Sequence, residues 1–321
     1  MKRVLSIQSH VVHGYVGGKS AIFPLQSQGW DVDYINSVHF SNHTGYGSFV
    51  GNKLTTMDLN LILDQLINKM QIKYNAILSG YIPNSDLISC LGSYIKELKT
   101  RDPEIFYLLD PVMGDNDYLY VDKSCIEEYK KLMIEKIVNL ITPNQFEVEL
   151  ITGIKIIDKT TLKEAISKLH KEFNIPLVVI SSIKSGILNN DDSFISCILS
   201  VNNEIKYYNI PIINSYFTGV GDLFSALLLD KWFLNSNITD NLQRLSKSIN
   251  QVLTIMNKTL NLTHKMGLEL ASKEGLNGDV KNLQGKINDG KTMKYFELKV
   301  IQSKEFFSYS DDGEFEELSL D

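Results

Sequence analysis

Short apolar runs and amphipathic runs alternate along most of this 321-residue chain. Residues 4–8 read as a strand, 16–28 as a helix with Pro24 inside it, and 32–38 alternate like a half-buried strand. Leu59, Ile62, Leu63, Leu66, Ile67 and Met70 recur at helical spacing over 58–70. Further strands are predicted at 75–79, 105–109, 138–141 and 177–180, and helices at 85–98 (capped by Asn84 or Ser85), 122–137 and 160–173. Residues 194–200 and 204–210 form a predicted hairpin about Asn202 and Asn203, and two helices follow, from Gly221 and from about Asp240. Such β-α repetition predicts an α/β fold, a mostly parallel sheet with helices on both faces. Ligands of these sheets bind beyond the carboxyl ends of the strands, where Asp110, Thr142, Ser79, Gly80, Ser181 and Ser182 fall. The pattern lapses at 271–294, which is rich in Gly, Asn, Asp and Lys and reads as a flexible surface insertion. Residues 295–301 resume as an edge strand, and the acidic tail 311–321 is expected to fray, leaving one domain over 1–310.

Charge and composition narrow the function. A net charge of -6 gives no basic footprint for nucleic acid or an anionic membrane. No apolar run is long enough to span a bilayer, and the N-terminal apolar run is too short for a signal peptide. Cys90, Cys125 and Cys197 show neither metal spacing nor a disulfide framework, which suits a reducing, cytoplasmic setting. An anionic ligand would need a local pocket of N–H groups.

Thr218-Gly219-Val220-Gly221-Asp222 supplies one, because it opens the apolar helix that begins at Leu223. Glycines ahead of a helix let backbone N–H groups approach an anion, and the helix start adds positive potential. A carboxylate in the same turn would repel phosphate but can accept a proton from a hydroxyl beside it, and the helix start is expected to keep Asp222 ionised. An ordinary capped helix after a Gly turn explains the motif equally well. Asp110 and Asp115 flank a Pro-Gly turn and can hold a hydrated Mg²⁺ with phosphate oxygens, or simply shape that turn. Asn144 and Glu147 have capping-box spacing after Thr142, and the same groups can orient metal-bound water. His43 and Thr44 lie in a polar loop that can hydrogen-bond a heteroaromatic ring, although a lone loop histidine is more often only solvated. Gly14 to Ser20 is not a Walker-type phosphate loop, since His13 stands where the leading glycine belongs.

Seven segments in order carry a resemblance: Ser6 to Val11, Gly14 to Gly17, Asn36 to Tyr46, Ser79 to Tyr81, Asp110 to Asp115, Thr142 to Glu147, and Gly219 to Phe224. Together the chain resembles the pyridoxal kinase family of the ribokinase-like superfamily, from residue 3 to about 265 and again at 295–304. The resemblance implies a three-layer sandwich, usually a homodimer, that transfers phosphate from ATP to the 5′-hydroxyl of pyridoxal, pyridoxine or pyridoxamine. By motif position Asp222 is the implied base, with Gly219 and Gly221 flanking the anion hole. Ser9, Val38, His43, Thr44 and Tyr81 match the vitamin side. Asp110, Tyr120, Thr142, Asn144, Glu147, Ser181, Ser182, Thr218 and Val220 match the nucleotide side, and Asp110, Asp115 and Glu147 the metal side. The implied metals are Mg²⁺ or Zn²⁺, with K⁺ or Na⁺ as a monovalent ion. Val220 departs from the family's usual threonine, and the lid between Asp115 and Tyr120 is short. The competing expectations are a kinase for hydroxymethylpyrimidine or a sugar, and a vitamer-binding protein without turnover.

Overall fold

The computed structural model describes residues 2–188, 191–274 and 283–320. Its strands in chain order are β1 (Lys2–Val11), β2 (Trp30–Phe40), β3 (Gly51–Lys53), β4 (Ala76–Ser79), β5 (Phe106–Leu109), β6 (Gly114–Asp115), β7 (Tyr118–Leu119), β8 (Leu140–Ile141), β9 (Leu177–Ile183), β10 (Phe194–Val201), β11 (Glu204–Pro211) and β12 (Leu318–Ser319). Ten of them form one sheet in the order β12-β11-β10-β9-β8-β5-β4-β1-β2-β3, while β6 and β7 pair as a separate hairpin. All neighbours from β2 across to β9 run parallel. Antiparallel pairs extend both edges, β2 with β3 on one side and β9 through β12 on the other.

The helices are α1 (Gly18–Ser27), α2 (Thr56–Leu63), α3 (Ser85–Arg101), α4 (Ser124–Ile134), α5 (Gln145–Thr152), α6 (Lys159–Lys171), α7 (Val220–Leu234), α8 (Asn241–Lys273), α9 (Gly290–Met293) and α10 (Lys304–Phe307). Alternation along the strands divides the core into two layers. Leu5, Ile7 and Ile77 pack with Leu87, Leu91 and Ile95 of α3 and with α4 to α6 on one face. Val4, Ala76 and Leu78 pack with Leu223, Leu227 and Val252 of α7 and α8 on the other. Each such side chain contributes roughly 1.5–3 kcal/mol when fully buried. Residues 223–232 of α7 are all buried, so this helix has no polar face and its apolar run is nearly continuous. The expected three-layer arrangement is therefore present.

Local rules account for most boundaries. Asn84 accepts from Leu87 N–H and caps α3. Asn202 and Asn203 both take positive φ, 54° and 66°, which lets a tight turn join β10 to β11. The expected long helix at 58–70 stops as α-helix at Leu63 and continues as a π-turn over Asp64–Lys69.

Two expectations at the C-terminus are overturned. Residues 295–301 are not an edge strand: Tyr295, Phe296, Leu298 and Val300 are buried against helices, and Lys299 N–H donates to Thr263 Oγ1 of α8 at 3.0 Å. The apolar alternation there records packing on a helix, not pairing at a sheet edge. The edge strand is β12, inside the tail expected to fray. Asn250 exchanges hydrogen bonds with the Phe315 backbone at 2.8 and 3.0 Å, and Glu317 accepts from Lys206 at 2.6 Å and from Ser246. The acidic residues of the tail thus meet basic and polar partners across space. The expected insertion is in part regular structure too, since α8 runs through to Lys273; its residues 275–282 lie outside the described residues.

Truncation after Gly313 removes β12 and the buried Leu320 and is expected to cost about 2–3 kcal/mol. The thermal midpoint, followed by circular dichroism, should fall by roughly 3–5 °C. A midpoint unchanged within about 1 °C would mean that the tail contributes nothing.

Candidate active site

A cavity of about 470 Å³ opens beyond the carboxyl ends of the parallel strands. It is assembled from the loops that leave β1, β2, β4, β5, β8 and β9 and from the turn that opens α7. Gly219 precedes α7 with φ +74°, and a Cβ there would collide with the Tyr15 carbonyl, so only glycine lets the two loops touch. The helix start leaves the N–H groups of Val220, Gly221 and Asp222 without intrahelical partners, facing the cavity. Asp222 Oδ2 accepts Gly17 N–H at 2.7 Å. Burial pushes the Asp222 carboxyl up to about 6, against the lowering effect of that hydrogen bond. Asp222 therefore stays ionised at neutral pH, as expected, but is a stronger base than an ordinary aspartate.

More carboxylates crowd the far wall. Asp110, only 4% exposed, accepts Ser225 Oγ–H at 3.1 Å, and Ser225 lies 2.9 Å from Thr142 Oγ1. Burial, then the charges of Glu147 and Asp222, holds Asp110 well above the usual carboxylate range. Glu147 is also raised, chiefly by burial. It closes the expected capping box with Asn144, and both of its oxygens are engaged: Oε1 accepts Met113 N–H at 2.9 Å and Oε2 accepts Asn144 N–H at 2.8 Å. Asn144 Nδ2 in turn donates to the Gly114 carbonyl at 2.8 Å. Asp115 is raised as well, mainly by burial. Among the described residues lining the cavity, Lys53 is the one cation.

The vitamin-side candidates come together on the opposite wall. Ser9, Val38, His43, Thr44 and Tyr81 all line the cavity. His43 is not simply solvated: it caps the 3₁₀ turn Thr44–Tyr46, with Nδ1 accepting Gly45 N–H at 3.0 Å. Burial pushes its imidazole down to about 4, so it is neutral at pH 7 and presents Nε2–H as a donor. Tyr120, Ser181, Thr218 and Val220 also line the cavity, despite the short lid, which is the β6–β7 hairpin. Val220 packs at the same time against the α7–α8 core, a role for its methyl groups that a hydroxyl would not fill.

The family model for phosphomethylpyrimidine kinase matches residues 34–267. A putative pyridoxal kinase of Saccharomyces cerevisiae is 42% identical over 96% of this chain and 95% of its own length. Pyridoxal kinase of Dictyostelium discoideum is 36% identical over 96% of each chain. Pyridoxal kinase from Leishmania donovani, solved with ADP and pyridoxine, superposes with a TM-score of 0.80 at 28% identity, over 99% of this chain and 98% of that one. The chain belongs to the pyridoxal kinase family. As in the rest of that family's fold, the sheet is mostly parallel and wrapped by helices.

Three expected site positions depart from the pyridoxal kinase reading of the sequence. Ser182 alternates away from Ser181 along β9 and faces a neighbouring cavity beside Asp115 and Lys184. Ser79 and Gly80 lie beneath the crevice: Ser79 Oγ bonds Tyr107 Oη at 2.7 Å, and Gly80 presses on Gln8. Asp110, Asp115 and Glu147 do not form a chelating cluster, and among the described residues no three acidic, His or Cys side chains converge as a metal site. Glu147 is committed to backbone N–H groups, which leaves Asp110 and Asp115. One or two carboxylates with little other ligation fit a hydrated Mg²⁺ carried in on phosphate better than Zn²⁺, which favours nitrogen and sulfur ligands. Gly17 and Ser225 were not singled out from sequence. Ser225 could have been found from its place three residues past Asp222, on the same face of α7.

A carboxyl whose folded pKa lies above its unfolded value stabilises the fold below the unfolded value and loses that stabilisation as pH rises through the folded one. Burial and the neighbouring carboxylates therefore make the charged form of Asp110 unfavourable for folding of the ligand-free protein as pH rises. Asp110→Asn is expected to raise the ligand-free thermal midpoint by a few degrees, about 1–2 kcal/mol, while lowering turnover. Melts at acid and alkaline pH check it: the gain should be larger at pH 8 than at pH 5.5, and a loss of stability at pH 8 would contradict the electrostatic account.

Proposed function

We propose that this chain catalyses ATP-dependent phosphorylation of the 5′-hydroxymethyl group of pyridoxal, pyridoxine and pyridoxamine. One observation carries the reading: Asp222 stands at the junction between the vitamin-side wall and the unpartnered N–H groups that open α7. The relatives named pyridoxal kinase, and the solved relative holding ADP and pyridoxine, support it.

In this mechanism the vitamin ring lies among Ser9, Val38, His43, Thr44 and Tyr81, with His43 donating from Nε2 to a ring substituent. ATP lies over Thr142, Asn144, Ser181 and Thr218, with Tyr120 closing from the hairpin. Asp222 accepts the proton of the 5′-hydroxyl as the hydroxyl oxygen attacks the γ-phosphorus; the bond from that phosphorus to the β–γ bridging oxygen breaks and ADP leaves with the electron pair, and a pKa near 6 leaves Asp222 ionised yet basic at neutral pH. The N–H groups of Val220, Gly221 and Asp222 receive charge on the transferred group. Asp110 and Asp115 would hold the nucleotide's divalent cation, Mg²⁺ in this reading, which would supply charge neutralisation at the phosphates. Crowded carboxylates with raised pKa values are what such a cation relieves. A K⁺ or Na⁺ beside the phosphates completes the proposed ion set.

The chain acts in this reading as one kinase domain in the cytoplasm, with the tail that carries β12 as part of it. No helix among the described residues is long and apolar enough to cross a membrane. A second copy is proposed to cover the β3–α2 edge, where Val50 and Met57 are 73% and 71% exposed.

The family model that matches is described as phosphomethylpyrimidine kinase, so hydroxymethylpyrimidine is the competing substrate to test. ATP consumption with pyridoxal, pyridoxine, pyridoxamine and hydroxymethylpyrimidine side by side should favour the three B6 compounds. Preferred turnover of the pyrimidine would overturn the substrate assignment. Asp222→Asn is expected to fold and bind pyridoxal but to lose about 10²- to 10⁴-fold in kcat. Wild-type kcat/KM should fall with acid below a pH of about 6, as one proton is taken up. More than a tenth of kcat in folded Asp222→Asn would show that another group accepts the proton.

A further inference from the structure

The segment expected to be a surface insertion ends against the loops that build the site. Gly285 N–H donates to Ser215 Oγ at 2.9 Å, and its carbonyl accepts Tyr216 N–H at 3.0 Å, next to the nucleotide-side residues Phe217 and Thr218. Three residues on, Asn288 N–H donates to the Gly45 carbonyl at 2.8 Å, within the vitamin-side turn. The chain then reaches Glu297, which is 6% exposed and flanked by the buried Phe296 and Leu298. Its two oxygens are used separately. Oε2 accepts Tyr15 N–H at 2.8 Å, and Oε1 accepts Tyr46 O–H at 2.6 Å. Gly14 leaves the space this needs, since a Cβ there would lie 2.6 Å from the carboxylate.

We propose that Glu297 is a positioning residue for phosphoryl transfer: its carboxylate clasps the vitamin-side turn Thr44–Tyr46 to the loop Gly14–Gly17 and so sets the distance between substrate and base. This rests on the kinase reading. The loop it holds is the one that meets the base, because the Tyr15 carbonyl abuts Gly219 and Gly17 N–H bonds Asp222. The turn it holds carries His43 as cap and Thr44 in the wall. Glu297 itself is absent from the cavity lining, so it acts through these two loops and does not touch substrate. The clasp is rigid from behind, where Phe296 and Leu298 seat in the core and Lys299 N–H bonds Thr263. Two carboxylate acceptors match two donors, one backbone and one phenolic, whereas an amide could meet both groups only by reversing the Tyr46 bond. In-line transfer tolerates little slack, and a misplacement near 1 Å costs on the order of 10²-fold in rate.

Tyr46→Phe cuts one arm and keeps the ring, Glu297→Gln keeps one acceptor, and Glu297→Ala removes both. Steady-state kinetics should show kcat/KM for pyridoxal falling about tenfold in Tyr46→Phe and up to about a hundredfold in Glu297→Ala, with Glu297→Gln between them. KM for ATP should stay within about twofold in all three. Titration with pyridoxine in the absence of ATP should weaken in the same order, and the double variant Glu297→Ala/Tyr46→Phe should be no worse than Glu297→Ala, because the two share one bond. A purely structural role would lower the thermal midpoint and affect both substrates alike. Folded Tyr46→Phe and Glu297→Gln with wild-type kcat/KM for pyridoxal and wild-type pyridoxine affinity would overturn the proposal. Wild-type protein that consumes no ATP with pyridoxal would instead fail the kinase reading, while the pyridoxine titrations would still read the clasp.

Discussion

The hydrogen bond from Gly17 N–H to Asp222 Oδ2 joins residues 205 positions apart and fixes where the Asp222 carboxylate stands. It ties the first β-α loop, which leaves β1, to the start of α7. Both loops must approach at backbone distance, so both need glycines: Gly17 against Ser9, Gly219 against the Tyr15 carbonyl. Two layers of the fold meet at this point. β1 is next to last in the parallel run, and α7 is buried continuously from Leu223 to Trp232 in the layer it shares with α1 and α8. A shift of either would move the carboxylate relative to the N–H groups beside it.

That arrangement comes at a cost in folding free energy. Asp110, Glu147 and Asp222 all hold protons more tightly than free carboxyls, because burial disfavours their charge and Asp110 also feels the other two. Hydrogen bonds moderate the strain unevenly. Glu147 receives N–H groups from Met113 and Asn144, whereas Asp110 receives one hydroxyl, from Ser225. Of these two, Asp110 is the less satisfied carboxylate. Electrostatic readiness for a cation-bound polyanion and imperfect stability of the empty protein are the same property seen from two sides.

The C-terminal third acts as a strap across this centre. α8 passes beneath it, residues 285–297 return along its rim, and the tail ends as an edge strand on β11. The strap touches the nucleotide-side loop through Gly285, the vitamin-side turn through Asn288 and Glu297, and the sheet edge through β12. Such a path explains how a stretch with little periodicity is nevertheless held: its partners are backbone groups and single side chains of other loops, not a face of its own.

Local chemistry in the sequence determined much of this protein. Alternation at β1 and β2, helical spacing at α3 and α6, the Asn144–Glu147 capping box and the Asn202-Asn203 turn each depend on residues a few positions apart, so they were legible without the fold. The order of seven motifs likewise pointed to Asp222 and to the two walls of the cavity. Only the tertiary structure decided the rest. The basicity of Asp222 comes from burial, His43 is neutral because burial disfavours its charged form, and Glu147 is a brace because Met113 and Asn144 turn their N–H groups to it. Residues 295–301 look like a strand because alternation also serves a segment lying on a helix, and 311–321 looks disordered because its acidic side chains have partners at Lys206, Ser246 and Lys247. Period and spacing are properties of the neighbouring chain; desolvation and the pairing of distant groups are properties of the space it encloses.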